Sequence, residues 1–132
     1  MEILLISATE ILLLLFLIIT FLQSGVDKIM DWQGNLSWLK GHFSKTPLKN
    51  MVPALLSIVM LTEVVAAALC TMGAYQLLVG GGKTTAFYGA ILSCLTLLML
   101  LFGQRMAKDY EGAKTIAIYF VPAIFLVFLL QS

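Results

Sequence analysis

"VPALLSIVMLTEVVAAALCTMGAYQLL", residues 52–78, decides the fold. Glu63 is the only charged residue in it. A helix needs about 20 mostly apolar residues to cross a bilayer, and this run exceeds that length. Pro53 stands near its start, where a missing backbone N–H costs nothing.

Three further runs of similar character surround it. They extend from about Ile3 to Leu22, Thr84 to Phe102 and Ala113 to Leu130. The whole chain of 132 residues is 61% hydrophobic and 11% charged. Soluble domains average about 45–50% apolar and about 25% charged. The expected fold is all-α, a transmembrane four-helix bundle forming one membrane domain over residues 1–132. Little chain is left for a separate soluble domain. The first run is read as a retained helix. Its opening residues lack Lys and Arg, and it outruns the apolar core of about 7–15 residues found in signal peptides. A net charge of +1, with no run of basic residues, gives no sign of a nucleic-acid partner, and none is expected.

The connections are informative. "VGGGK" (79–83) is the tightest break, and its glycines admit left-handed backbone. It lacks the spacing of a phosphate-binding loop. The segment 34–43, "GNLSWLKGHF", repeats Leu36, Leu39 and Phe43 at helical spacing, with Asn35 as the expected N-cap. Trp32 and Trp38 suit the headgroup layer, so a short interfacial helix is expected. Of the 8 Lys and Arg, all but Lys83 fall on the side of the first and third loops. That bias places those loops in the cytoplasm and both termini outside. Gly89, Ser93, Thr96 and Gly103 form a small-residue face that would let helices approach closely. Pro122 interrupts the hydrogen bonding of the last helix.

The chemistry-bearing residues are few. Glu63 lies well inside the bilayer, and an ionisable group there marks function by default. Glu10 in "SATEILLLLF" is the expected partner. Counting helix rise, Glu10 comes to ~10 Å and Glu63 to ~14 Å from the outer face. Two carboxyls meeting there would share a proton. Outward of Glu63 its face is small (Ala66, Ala67, Cys70, Ala74), which fits either close packing or a cavity. A second polar group gathers where helices 1 and 3 exit. Lys28, Gln104 and Arg105, with Tyr119 on helix 4, are the candidate ligands for a carbonyl or phosphate oxygen of a quinone or lipid. The same groups also fit an interfacial salt-bridge network, with Arg105 or Lys108 meeting Asp27 or Asp109. Cys70 and Cys94 fall at depths of ~3 and ~15 Å, too far apart for a disulfide. His42 reads as a surface residue, and no metal site is expected.

"FLQSGVDKIMDW", "LTEVVAA" and "FGQRMAKDYEGA" together resemble the DoxX family of small bacterial membrane proteins. The likeness runs over nearly the whole chain. It implies a four-helix bundle in the bacterial inner membrane and marks Gly25, Lys28 and Glu63. It also implies a link to quinone-dependent redox complexes. The reading that follows is an accessory or quinone-linked subunit, with Glu63 and Glu10 as proton or ligand sites. Its partners would be the lipid bilayer and other membrane subunits, or further copies of the chain. A non-catalytic structural subunit or assembly factor is the alternative, and a small-molecule transporter ranks below both.

Overall fold

The computed structural model describes residues 7–131. Helix α1 spans Ala8–Met30, α2 Trp32–His42, α3 Val52–Leu78, α4 Thr84–Met106 and α5 Tyr110–Gln131. The start of helix 1 near Ile3 lies outside the described residues. The four long helices form an up-down-up-down bundle in which each packs on its neighbour in sequence. Contact between α5 and α1 closes the ring more loosely. There, Phe16 meets Tyr119 edge-on, with ring centroids 6.0 Å apart.

All four long helices are long and apolar enough to cross a membrane, yet only 22–39% of each apolar window is buried inside the bundle. Leu12, Ile19, Val121 and Phe128 point outward. In water that surface would drive aggregation. In lipid it is the solvent-facing side, and the chain is a multi-pass membrane protein. Packing between helices then rests on close contact rather than on a hydrophobic driving force.

The tightest contact is the α3–α4 seam. A Cβ on Gly73 would collide with the Ala86 backbone, and one on Gly89 would lie 2.9 Å from the Cys70 amide nitrogen. Ser93 donates to the Gly89 carbonyl at 2.7 Å and touches Cys70 Sγ at 3.8 Å. The small face outward of Glu63 is therefore filled by α4. Gly103 stands apart from this seam, because its hydrogens face Phe43 of the α2 exit. Both cysteines are free and buried.

The turn between α3 and α4 ends in a Schellman motif. The Gly81 N–H reaches the Gln76 carbonyl at 2.7 Å, and Gly80 takes φ 75°. The α4–α5 connection repeats that geometry without glycine. Asp109 N–H donates to the Gln104 carbonyl at 2.9 Å, and Lys108 sits at φ 60°. Asp109 then caps α5 by accepting from the Gly112 N–H at 2.9 Å.

Several boundaries differ from the sequence expectation. Helix 1 does not stop at Leu22 but runs eight residues further, to Met30. Its buried positions Leu14, Leu17, Phe21 and Gly25 keep helical spacing through the polar exit. The α2 cap is Asp31, not Asn35. The Asp31 carboxylate accepts from the Gly34 N–H at 3.3 Å, while the Asn35 side chain donates to the Asp31 carbonyl at 2.8 Å. Helix α4 likewise extends past Phe102 to Met106. A 3-10 turn at Lys49–Met51 leads directly into α3, with Pro53 in its first turn.

Candidate functional site

Glu63 is 2% exposed and sits within α3. Its neighbour is a cation from α1. Lys28 Nζ lies 2.9 Å from Glu63 Oε1 and donates to Ser24 Oγ at 2.6 Å. Local sequence explains the meeting. Gly25 is buried against Val64, and a Cβ there would lie 3.0 Å from the Val64 methyl. With no side chain at Gly25, α1 comes close enough for Lys28, one turn on, to reach Glu63, the residue before Val64. Lys28 also lies in the last turn of α1, where the helix dipole favours a cation. The three residues marked by the family resemblance thus converge at one point.

The pair is close but incompletely satisfied. Glu63 Oε1 is buried without an aligned hydrogen-bond donor, because the lysine approaches it outside hydrogen-bonding angles. A buried acceptor in this state is costly and invites a further donor.

Glu10 is not the partner. With Lys28 beside Glu63 on antiparallel helices, Glu10 lies about 18 residues, or ~27 Å of helix rise, further along α1. The expectation of similar depth came from placing the first span at about Ile3 to Leu22, which sets Glu10 seven residues inside its outer end. The true helix ends later, so its register against α3 moves by two turns. Lys28 likewise leaves the loop, where it was counted as surface charge, and enters the bundle with a 17% exposed side chain.

The same register means that α1 ends about 9 residues, or ~13 Å, short of the start of α3. Only α2 covers that side of the bundle. A cavity of about 780 Å³ remains between α2, α3 and the second half of α4. Leu56, Val59, Leu98, Met99 and Phe102 give it an apolar wall. Its polar lining comes from Lys28, Asn35 and Gln104. Gly73 facing Ala86 sets Gln104 level with the first turn of α3, about 12 Å of rise below Glu63. Lys28 and Gln104 therefore mark opposite ends. Volume and lining are those of a site for a small amphiphile.

Gln104 is fixed by a residue that sequence reading left on the surface. His42 Nε2 lies 3.0 Å from Gln104 Oε1 and 3.5 Å from Asp109 Oδ2. Its ring stacks on Trp38 at 4.5 Å. His42 thereby ties the end of α2 to the α4–α5 turn, behind the cavity residues Trp38 and Gln104. The signal in sequence was Trp38 four residues before His42, on one helical face. Arg105 and Tyr119 lie elsewhere. Arg105 is exposed over the Tyr110 ring at 5.3 Å, and Tyr119 packs on Phe16. Asp109 pairs with His42 rather than with Arg105 or Lys108. Among the described residues, no three His, Cys, Asp or Glu side chains gather as metal ligands would.

The structure thus joins Lys28 to Glu63, sets Gln104 across one cavity from Lys28, and separates Glu10, Arg105 and Tyr119 from them. No protein-family model, curated protein or solved structure matches the chain.

Proposed function

We propose that the chain is a DoxX-like subunit of a quinone-linked redox complex in the bacterial inner membrane, holding the quinone head beside Lys28. The observation that carries this reading is Lys28, a cation that pairs with buried Glu63 and also lines an apolar cavity. A quinone carbonyl accepts a hydrogen bond from the Lys28 ammonium. The isoprenoid tail lies along Val59, Leu98, Met99 and Phe102. Quinone reduction takes two electrons and two protons. The chain's part is the hydrogen bond and a proton passed through Lys28 and Glu63, and the electrons come from a partner subunit. The basic loops face the cytoplasm, following the lysine bias.

The rival is a structural subunit in which the ion pair only pins α1 to α3. Extraction of the protein purified in mild detergent separates the two. Bound quinone is expected in the wild type and lost in Leu55→Trp, which fills the cavity about two turns of α3 away from Glu63. Absence of quinone from the wild type, together with a complex that assembles and turns over normally in Glu63→Gln, supports the structural subunit instead.

A further inference from the structure

The segment between Asp31 and Glu63 holds Lys40, Lys45, Lys49 and His42 and no acidic residue. Lys28, on α1, is matched by Glu63, and the His42 ring lies 3.5 Å from the Asp109 carboxylate. Among the described residues neither Lys40 nor Lys49 has an ion-pair partner. These two lysines line one surface pocket of about 540 Å³, separate from the cavity, together with Ser44, Asn50 and Pro53.

The pocket's walls are set by the loop beneath it. Thr46 is buried, donates from its hydroxyl to the Phe43 carbonyl at 2.9 Å, and accepts from the Leu48 N–H at 3.1 Å. That knot fixes the path from Ser44 to Asn50. Two ammonium groups, a hydroxyl and an amide offer many donors, and no carboxylate competes. The chemistry suits a phosphate oxygen. Position selects the source. The apolar run of α3 begins at Val52, directly after exposed Met51 and the pocket residue Asn50, so the pocket opens at the depth of lipid headgroups.

We propose that Lys40, Ser44, Lys49 and Asn50 form a binding site for the phosphate of an anionic phospholipid. The site is independent of the quinone reading, since it shares no residue with the cavity.

The test uses Trp38 as a reporter, two residues from Lys40, in a Trp32→Phe background. The protein is reconstituted in phosphatidylcholine vesicles with rising fractions of brominated phosphatidylglycerol. Trp38 quenching is expected to need about 5-fold more phosphatidylglycerol for each lysine removed, and about 30-fold more in Lys40→Gln/Lys49→Gln. Lys114→Gln should behave as wild type, and brominated phosphatidylcholine should quench all variants alike. Circular dichroism confirms that the double variant keeps its helices. Equal phosphatidylglycerol curves for the wild type and the double variant overturn the site. So does saturation by inorganic phosphate in detergent that needs both lysines, with no lipid preference in vesicles, because it assigns the pocket to a soluble anion.

Discussion

The two halves of α3 meet the bundle in opposite ways. From Ala66 to Ala74 its inward face is Ala, Cys and Gly, and α4 lies against it backbone to backbone. From Val52 to Val59 that face is Val and Leu, and a cavity stands where a neighbour would be. Both halves are uncharged and apolar, so neither reads as a break in the span. Side-chain size separates them, aided by the early end of α1. Small residues bring helices together in lipid, while larger ones hold them apart. Glu63 sits at the junction, with the sealed half above it and the open half below.

The largest expected effect comes from breaking the pair at that junction. Glu63→Ala leaves Lys28 inside the bundle without its counter-charge. Removing one partner of a buried pair costs about 3–5 kcal/mol. Unfolding in mixed micelles should show that loss. Lys28→Met/Glu63→Leu should recover most of it, since replacing both charges by apolar groups removes the desolvation cost as well. A single variant as stable as the wild type would mean that the pair does not hold α1 to α3.

The seam comes next. Gly73→Val drives two methyls into the Ala86 backbone, where nothing flexible can yield. Overpacking of this kind costs up to ~3 kcal/mol. Gly103→Ala is the contrast, because its Cβ meets only Phe43 at an ordinary 3.6 Å and should change stability by less than ~0.5 kcal/mol. The ratio of the two losses, measured in one detergent, checks whether the sealed half depends on glycine.

Smaller still is the expected effect of filling the open half. Val59→Phe adds bulk to a wall that already borders empty volume. A well-packed core would resent it, but here the stability change should stay below ~1.5 kcal/mol. Copurifying quinone should fall sharply. A loss of several kcal/mol in the same unfolding assay would show that this half is packed as tightly as the other.

How much of this was legible in sequence follows the same division. The sealed half was partly readable because its signals are local: glycines in "VGGGK" fix the turn, and Gly89, Ser93 and Thr96 repeat on one face, although the small face of α3 itself fitted a cavity equally well. The open half was not. Its geometry depends on where α1 ends, and hydropathy ends that helix at Leu22, although Phe21, Gly25 and Lys28 continue its helical spacing. Reading the helix by period rather than by apolarity would have carried it to Met30. Lys28 would then have come opposite Glu63, and Glu10 would have moved away. The His42–Gln104 contact spans 62 residues and two loops. Only the tertiary path of α2 brings those side chains together.

The turns at the two ends of α4 give the finest version of the comparison. Both follow a helix with the same pair of closing hydrogen bonds, and both need one residue in the left-handed region. Gly80 takes φ 75° with no Cβ to object, whereas Lys108 takes φ 60° with one. A side chain in that region costs roughly 1 kcal/mol. Lys108→Gly removes that cost, although the added freedom of the unfolded chain offsets part of it. A net gain of about 0.5 kcal/mol is expected in the micelle unfolding assay. Gly80→Ala should lose a similar amount. If Lys108→Gly is instead destabilising, the lysine side chain itself contributes at the α4–α5 turn. Stripping that contribution with Lys108→Asn, which tolerates the same φ, would then reproduce the loss.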